Sequence, residues 1–436
     1  MKVEGKRVVV VGMARSGRAA AELLEERGAH VTAVDQAVAQ VPDLRVPIFP
    51  QSAASFEGAD LVVLSPGVPA DLDELRLVRD RGVPVIGDLE LASWFLEGEI
   101  IGITGSNGKT TTTALTGHIL RSSGIPAQVG GNIGTPPCSM VKASRAGQWN
   151  VLELSSFQLE TIDTFRAHIG VALNVTPDHL DRHYTFERYA AAKARLFENQ
   201  STGDFAVLNA DDPVTSGFAK AATRIFFSST QSVQGASLEH HRITLDGKQF
   251  MDASEVPLRG AHNLENTMAA AIAAHLAGAT HEQIREAVKT FPGVEHRLEF
   301  VRTLDGVAWY NDSKATNVDA TLKAIAAFDG GLWVILGGKD KNSDYTPLAE
   351  PLKARSRAVL LIGAAAEKIE AQLRGAVPMI PCGTLEIAVH QARAQAQPGD
   401  TVLLAPACAS FDQFEHFEHR GREFKRLVQA LSGGSL

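Results

Sequence analysis

Short apolar runs alternate with helix-forming stretches along almost the whole chain. Residues 7–11 (Arg-Val-Val-Val-Val) run into a turn, Gly12 to Gly17, then an Ala/Leu/Glu-rich stretch to Arg27 and a second apolar run, 30–34, that ends at Asp35. Apolar runs at 61–64 and 83–86 continue the series, with Ser65-Pro66-Gly67 as a turn at one strand's exit. The same alternation recurs at 100–101, 150–154, 170–174 and 205–209, and again at 307–310, 332–336, 358–362 and 401–404. Apolar runs punctuated by turn residues and separated by helical stretches predict βαβ units on mainly parallel sheets. Helices are expected over residues 186–199, 267–277 and 319–327, and a β-rich, Ser/Thr/Gln-rich segment reaches Phe250.

A chain of 436 residues suggests about three domains on a prior of ~150 residues each. Breaks in the pattern predict an N-terminal Rossmann-like domain over 1–92, a central P-loop domain over 93–292 and a C-terminal Rossmann-like domain over 293–436, an α/β protein throughout. The first unit invites dinucleotide binding and an NAD-linked oxidoreductase. Against that, the middle glycine of the fingerprint is Ala14, whose methyl would crowd a pyrophosphate.

A net charge of −8 with 44% hydrophobic and 21% charged residues gives no electrostatic reason to expect nucleic acid or an anionic membrane as partner. The three cysteines, Cys138, Cys382 and Cys408, are widely spaced, which argues for a reducing compartment and against a disulfide framework. The apolar run after Arg7 is too short for a signal peptide and is interrupted by Arg15 and Arg18. No stretch approaches the ~20 apolar residues of a membrane span. The expectation is a cytoplasmic protein.

The strongest chemical signal is the run Gly102-Ile-Thr-Gly105-Ser106-Asn107-Gly108-Lys109-Thr110-Thr111, between an apolar strand and a helix. Glycines let successive N–H groups point inward, the helix offers its positive end, Lys109 adds a charge and Thr110 a hydroxyl of the kind that coordinates Mg²⁺. Gly102 and Gly105 flank the position, Ile103, where the strict pattern has glycine. Glu153 interrupts a later apolar strand, either as an exposed residue or as a carboxylate facing the loop as a metal ligand. His179 leaves another strand among Asp178, Asp181 and Arg182. Lys193 falls within the stripe of Phe186, Tyr189, Ala190, Leu196 and Phe197, so its ammonium is either paired or chemically changed, or its stem snorkels to the surface. Asn263 and Asn266 precede an Ala-rich helix, where a helix cap is the simplest role for Asn263. Glu415 to His419 has metal-like composition, though three-residue spacing on a helix suits a solvated face.

The spelling of the phosphate loop resembles that of the Mur ligases and their folylpolyglutamate synthetase relatives. Glu153-Leu-Ser-Ser-Phe-Gln158, Asn174-Val-Thr-Pro-Asp-His179-Leu-Asp-Arg182, Asn311-Asp-Ser-Lys-Ala-Thr316 and Cys408-Ala-Ser-Phe-Asp-Gln413 extend the likeness over nearly the whole length. Within that family the chain is most similar to the branch that adds D-glutamate to UDP-N-acetylmuramoyl-L-alanine. The resemblance implies an ATP-dependent ligase of cytoplasmic peptidoglycan precursor synthesis, working as a monomer through an acyl phosphate with two Mg²⁺ ions.

The resemblance also implies site roles. Lys109 and Thr110, with Gly105, Ser106, Asn107, Gly108 and Thr111, hold the ATP phosphates and Mg²⁺, and Glu153 completes that ion's shell. His179 and a carbamylated Lys193 serve the second ion. Asn263 and Asn266 lie toward the adenine, Arg297 toward the phosphates, and Asp312 and Lys314 on the nucleotide side of the third domain. Thr316, Lys341, Ser410 and Phe417 hold D-glutamate, while Asp35, Ser65, Asn132 and His179 meet the UDP-sugar. Gln36 stands where the family often has threonine. Other readings are a ligase for a different amino acid or for folate, and a nucleotide-binding regulatory module without chemistry.

Overall fold

The structure, a computed structural model, describes residues 3–36, 46–258, 260–340 and 342–433. Among the described residues, twenty strands form three sheets of five, nine and six strands. The chain divides into two compact units, Met1–Val256 with His262–Phe291, and Pro257–Ala261 with Pro292–Leu436. The first two sheets belong to the first unit and the third to the second. Among the described residues, no helix is long and apolar enough to cross a membrane.

In the first sheet the spatial order is Ile48–Pro50, His30–Asp35, Arg7–Val11, Leu61–Leu64, Val85–Gly87, every pair parallel. The order reverses between Arg7–Val11 and Leu61–Leu64, and open parallel sheets bind ligands at such a switch, outside the strands' carboxyl ends. Gly12 and Ser65 stand at those ends. Gly12 has φ +85° and a Cβ there would meet Val68 Cγ2 at 2.7 Å and Ser65 Cβ at 3.0 Å, so the turn requires glycine.

The second sheet runs Lys248–Asp252, Arg242–Leu245, Gly235–Glu239, Thr223–Ser228, Phe205–Asn209, Ile169–Ala172, Glu99–Thr104, Trp149–Glu153, Ala127–Gly131. Its last seven strands are parallel and the first two form an antiparallel hairpin. Its central strands, Glu99–Thr104, Trp149–Glu153, Ile169–Ala172 and Phe205–Asn209, are buried along nearly their whole length, as parallel strands covered on both faces are. The third sheet runs Glu299–Leu304, Val307–Asn311, Thr401–Leu404, Leu332–Gly337, Ser356–Ile362, Met379–Gly383 and is parallel except for its first pair. Its two faces carry separate apolar clusters, one around Leu336, Tyr345 and Leu361, the other around Trp309, Leu360 and Phe424.

The helices differ from the sequence expectation in length. The expected helix over 186–199 is α-helical over Phe186–Ala194 and tightens to a 3₁₀ turn at Arg195–Phe197. The one expected over 267–277 begins at Ala261 and ends at Leu276, which removes the capping role foreseen for Asn263, now inside the first turn.

One buried carboxylate ties the helix Asp88–Ser93 to the loop at 163–165. Glu90 is fully buried. Its Oε2 accepts from the Asp163 and Phe165 amides at 2.8 and 2.9 Å, and its Oε1 from the Thr164 amide at 2.9 Å and the Trp94 indole at 2.8 Å. Burial alone would push this carboxyl up, but the amide, hydroxyl and indole donors together hold it below its ordinary value. Glu90→Ala strands those donors and is expected to destabilise the protein by about 3 kcal/mol, since losing charged hydrogen bonds and leaving buried partners unsatisfied both cost free energy. A depressed carboxyl stabilises above its unfolded-state value and loses that contribution as pH falls through the folded one. Denaturant titrations of the two proteins should therefore differ most at neutral pH and converge in acid.

Candidate active site

The phosphate loop follows from where its strand ends. Glu99–Thr104 lies between Trp149–Glu153 and Ile169–Ala172, with Ile103 opposite Glu153 and Thr104 opposite Ala172. The chain leaving Thr104 therefore wraps beside the exits of both neighbours. Ser106 N donates to Asn174 O at 2.8 Å, Asn107 N to Asn174 Oδ1 at 2.8 Å, and the Thr176 amide to Ser106 Oγ at 2.9 Å. Gly108 takes a left-handed φ of +85° and immediately precedes the helix Lys109–Ser122, in which Thr110 and Thr111 are buried. A Cβ on Gly108 would lie 2.2 Å from Asn266 Oδ1.

Two lysines converge on this loop. Lys109 Nζ donates to Gly105 O at 2.8 Å and Ser106 O at 2.9 Å, and Lys193 Nζ donates to the same Gly105 O at 2.8 Å. Lys193 is fully buried, with its ammonium 4.6 Å from the centre of the Tyr189 ring. The surface-directed stem considered for it is thus overturned: the helix Phe186–Ala194 turns this side chain inward. Burial, reinforced by the charge of Lys109, holds its amine well below the ordinary lysine value, against the opposing pull of Asp178 and Glu153. Tyr189 is pushed up to about 12, chiefly by burial, and its hydroxyl lies 3.0 Å from Ser106 Oγ.

Glu153 is buried, not an exposed strand residue. Its Oε1 accepts from Asn132 Nδ2 at 3.0 Å, and its Oε2 is a buried oxygen without a hydrogen-bond partner. The pair is held by register: Gly131 faces Glu153 across two parallel strands, and a Cβ on Gly131 would meet Glu153 O at 2.3 Å. His179 has φ +52° and sits half-exposed, with Nε2 3.6 Å from Asp178 Oδ2 and its ring against Phe157 and Tyr189 at 4.9 and 6.3 Å. Tyr189 is therefore the common neighbour of His179, Lys193 and the phosphate loop.

Asn263 and Asn266 are buried in the first turns of their helix. Asn266 Nδ2 donates to Asn263 Oδ1 at 2.9 Å, and Thr112 Oγ1 lies 3.3 Å from Asn266 Oδ1, which brings both beside the phosphate-loop helix. At the first sheet's switch point, Asp35 Oδ2 accepts from the Met13 amide at 2.7 Å and Ser65 is buried with its amide on Val11 O. Both residues thus stand at the carboxyl ends of the strands that flank Arg7–Val11.

In the second unit the exits of Val307–Asn311, Thr401–Leu404 and Leu332–Gly337 lie side by side. Asp312 is buried and pushed up to about 6 by that burial, with Arg297, the Leu298 amide and Lys314 pulling the other way. Lys314 lies 5.9 Å over the Phe417 ring, and Thr316 N donates to Lys314 O at 2.8 Å. Ser410 is buried in the neighbouring loop. Lys341 lies outside the described residues. His416 does not belong to a metal-like cluster in its geometry: its Nδ1 accepts from the His419 amide at 2.9 Å and caps the helix Phe417–Ala430.

Sequence reasoning missed Arg420. Its buried guanidinium donates to Ser313 Oγ and O at 3.0 and 2.9 Å and to Cys408 O at 3.2 Å, which fixes two strand-exit loops together. Burial holds it down to about 10. The signal was present in spacing, since Arg420 lies on the stripe formed by Phe424, Leu427 and Val428. Tyr189 was read as core, and only its hydroxyl hinted at more.

The Mur ligase middle domain matches residues 103–274, the Mur ligase glutamate ligase domain residues 296–408, and the MurD-like Mur ligase N-terminal domain residues 6–87. The UDP-N-acetylmuramoylalanine--D-glutamate ligase of Solibacter usitatus (strain Ellin6076) is 61% identical over 438 residues, covering 99% of each chain. The chain belongs to the Mur ligase family. The ligase of the same description from Acidobacterium capsulatum is 52% identical over all of this chain and 98% of its own. Among solved structures, UDP-N-acetylmuramate-alanine ligase MurC of Thermotoga maritima aligns with a TM-score of 0.64 at 20% identity over 98% of this chain and 99% of that one. The MurF ligase of the same organism, in complex with ADP, aligns at 0.62 and 16% identity over 98% and 96%. At such identities the structural likeness concerns the fold, a three-domain α/β architecture.

Gly108→Ala should disturb this Mur ligase more than Gly124→Ala. Both positions have left-handed φ, +85° and +75°, but only Gly108 has an atom in the way. The backbone term costs roughly 1–2 kcal/mol at either site, and displacing Asn266 adds to it at Gly108. Calorimetry should show ATP affinity reduced by at least about tenfold for Gly108→Ala, a difference of ~1.4 kcal/mol, and unchanged for Gly124→Ala; equal affinities would refute the steric argument.

Proposed function

We propose that this Mur ligase joins D-glutamate to the L-alanine carboxylate of UDP-N-acetylmuramoyl-L-alanine at the expense of ATP, in peptidoglycan precursor synthesis. The observation that carries the chemistry is the convergence of Lys109, Lys193 and the unpartnered Glu153 Oε2 around the phosphate loop. The choice of amino acid rests on the D-glutamate ligases to which the chain is similar along its whole length.

The buried oxygen of Glu153 and the Thr110 hydroxyl suit Mg²⁺, a hard cation that takes oxygen ligands. Lys193 suits it only after modification. A neutral amine is what burial beside Lys109 favours; its lone pair adds to the carbon of CO₂, a proton leaves to water, and the product is an anionic carbamate with two oxygens. Glu153 and Thr110 would hold one ion, and His179 with the Lys193 carbamate a second. Bound there, Mg²⁺ would neutralise phosphate charge and stabilise the transferring phosphoryl group.

Within that site Lys109 and the loop amides of residues 105–111 bind the ATP phosphates, and Asn263 and Asn266 face the adenine side. The crevice at Asp35 and Ser65 takes the uridine, and Asn132 meets the sugar end of the same substrate. The alanine carboxylate attacks the γ-phosphorus, releasing ADP and forming an acyl phosphate. Thr316, Lys341, Ser410 and Phe417 hold D-glutamate so that its amine attacks the activated carbonyl; phosphate then departs from the tetrahedral intermediate with the electron pair of the broken C–O bond. Arg297, Asp312 and Lys314 bind the nucleotide. No residue of the chain forms a covalent bond to substrate, and the ligase acts as a monomer.

Phosphate release from ATP, measured with UDP-N-acetylmuramoyl-L-alanine and D-glutamate, L-glutamate, another amino acid or none, tests the proposal. Turnover is expected only with D-glutamate, and Lys109→Ala should lower kcat by at least about 10²-fold, the scale of losing one aligned charge-stabilising donor. Turnover with a different amino acid would replace the acceptor, and release independent of the UDP-sugar would overturn the ligase reading.

A further inference from the structure

The hairpin at the edge of the second sheet carries a cluster that the ligase reaction leaves unused. Arg242–Leu245 and Lys248–Asp252 are joined by Asp246-Gly247, with φ of +51° and +70°. An Asp-Gly pair with both φ positive is the turn that matches strand twist, so Asp246 is held by the backbone and not by chance rotation of a loop. Its carboxylate faces two imidazoles from either side of a helix junction. His275 Nε2 and His281 Nε2 lie 3.2 and 3.4 Å from the same oxygen, Asp246 Oδ2. The ligand atoms of all three residues lie within 4.8 Å of one another.

Both histidines are fixed by their helices. His275 sits in the last turn of Ala261–Leu276 and its Nδ1 is 2.9 Å from Ala279 O. A carbonyl only accepts, so Nδ1 carries the hydrogen. In the neutral ring that leaves Nε2 as a bare lone pair directed at a carboxylate oxygen. Two lone pairs at 3.2 Å repel unless a proton or a metal cation lies between them, and an imidazole whose other nitrogen is committed to a carbonyl is the usual arrangement of a metal-binding histidine. His281 opens the helix His281–Lys289, whose start is fixed by a capping box between Thr280 and Gln283. For a tetrahedral ion with bonds of about 2.0–2.1 Å, ligand atoms sit roughly 3.3 Å apart, close to the 3.2 and 3.4 Å that separate the two imidazole nitrogens from Asp246 Oδ2. Two imidazoles and one carboxylate suit Zn²⁺ and its transition-metal neighbours, not Mg²⁺.

We propose that Asp246, His275 and His281 bind a Zn²⁺-class divalent transition metal that clips the sheet-edge hairpin to the junction of two helices, with water in the remaining coordination position. The clip is structural, since it ties the hairpin turn at Asp246 to a helix junction 29 and 35 residues further along the chain, and it takes no part in phosphoryl transfer.

The test is calorimetric titration of the untagged, full-length ligase with ZnCl₂ in excess Mg²⁺, which occupies oxygen-rich sites without competing for imidazole, followed by Co²⁺ substitution. Wild type should bind one equivalent with the visible absorption of a low-coordinate Co²⁺ ion, and saturating Zn²⁺ should raise Tm by about 5 °C. His281→Ala and Asp246→Asn should each weaken binding by at least about 100-fold, beyond the loss typical of second-layer changes, while metal-free Tm and ligase activity stay at the wild-type level. An absence of saturable binding, or the same stoichiometry and affinity in His275→Ala, His281→Ala and wild type, would overturn the proposal.

Discussion

The first unit depends on how it compensates charge where its central sheet ends. Gly105 O accepts from both Lys109 and Lys193, and a buried carboxylate with one unpartnered oxygen stands one strand away. Burying an ammonium is expensive unless it is paired, neutralised or modified. The structure meets that constraint by depressing the Lys193 amine and by surrounding it with Tyr189, Asp178 and the loop carbonyls. Glycine is needed where neighbours come close, at Gly108 against the Asn266 side chain and at Gly131 against the Glu153 backbone.

The same logic organises the rest of the molecule. In each sheet the polar residues gather at the carboxyl ends of neighbouring parallel strands. Gly12, Asp35 and Ser65 mark those of the first sheet. The phosphate loop, Glu153 and Asn174 mark the second, and Asp312, Ser313 and Ser410 the third, where the buried Arg420 binds neighbouring loops through their carbonyls. Glu90 does the equivalent task at the base of the first unit, with a carboxylate facing amides.

Much of this was legible in the chain. Parallel strands with both faces covered announce themselves as continuous apolar runs, and the phosphate loop declares itself by glycine spacing followed by Lys-Thr-Thr. The inward lysine was visible as a charge on an apolar helical stripe, although periodicity alone could not separate a buried amine from a snorkelling one. Asn263 was misplaced as a cap because the helix starts at Ala261, and Ala-His-Asn carries no stop or start signal that distinguishes a first turn from its cap. Arg420 shows in sequence only as a charge on the apolar stripe of Phe424, Leu427 and Val428; its partners, the Ser313 hydroxyl and loop carbonyls distant in sequence, are encoded by no local pattern. The Asp246, His275 and His281 cluster escaped for a related reason: a hairpin turn and a helix junction meet only in the folded sheet.

The claim on which the account turns is that the buried Lys193 becomes an oxygen ligand. The direct measurement is ¹³C NMR of the ligase equilibrated with ¹³C-labelled bicarbonate, comparing wild type with Lys193→Ala. A protein-bound carbamate resonance in wild type that is absent from the variant, with ligase activity falling as CO₂ is removed, is the expected result. Full activity in CO₂-depleted buffer with no such resonance would contradict it.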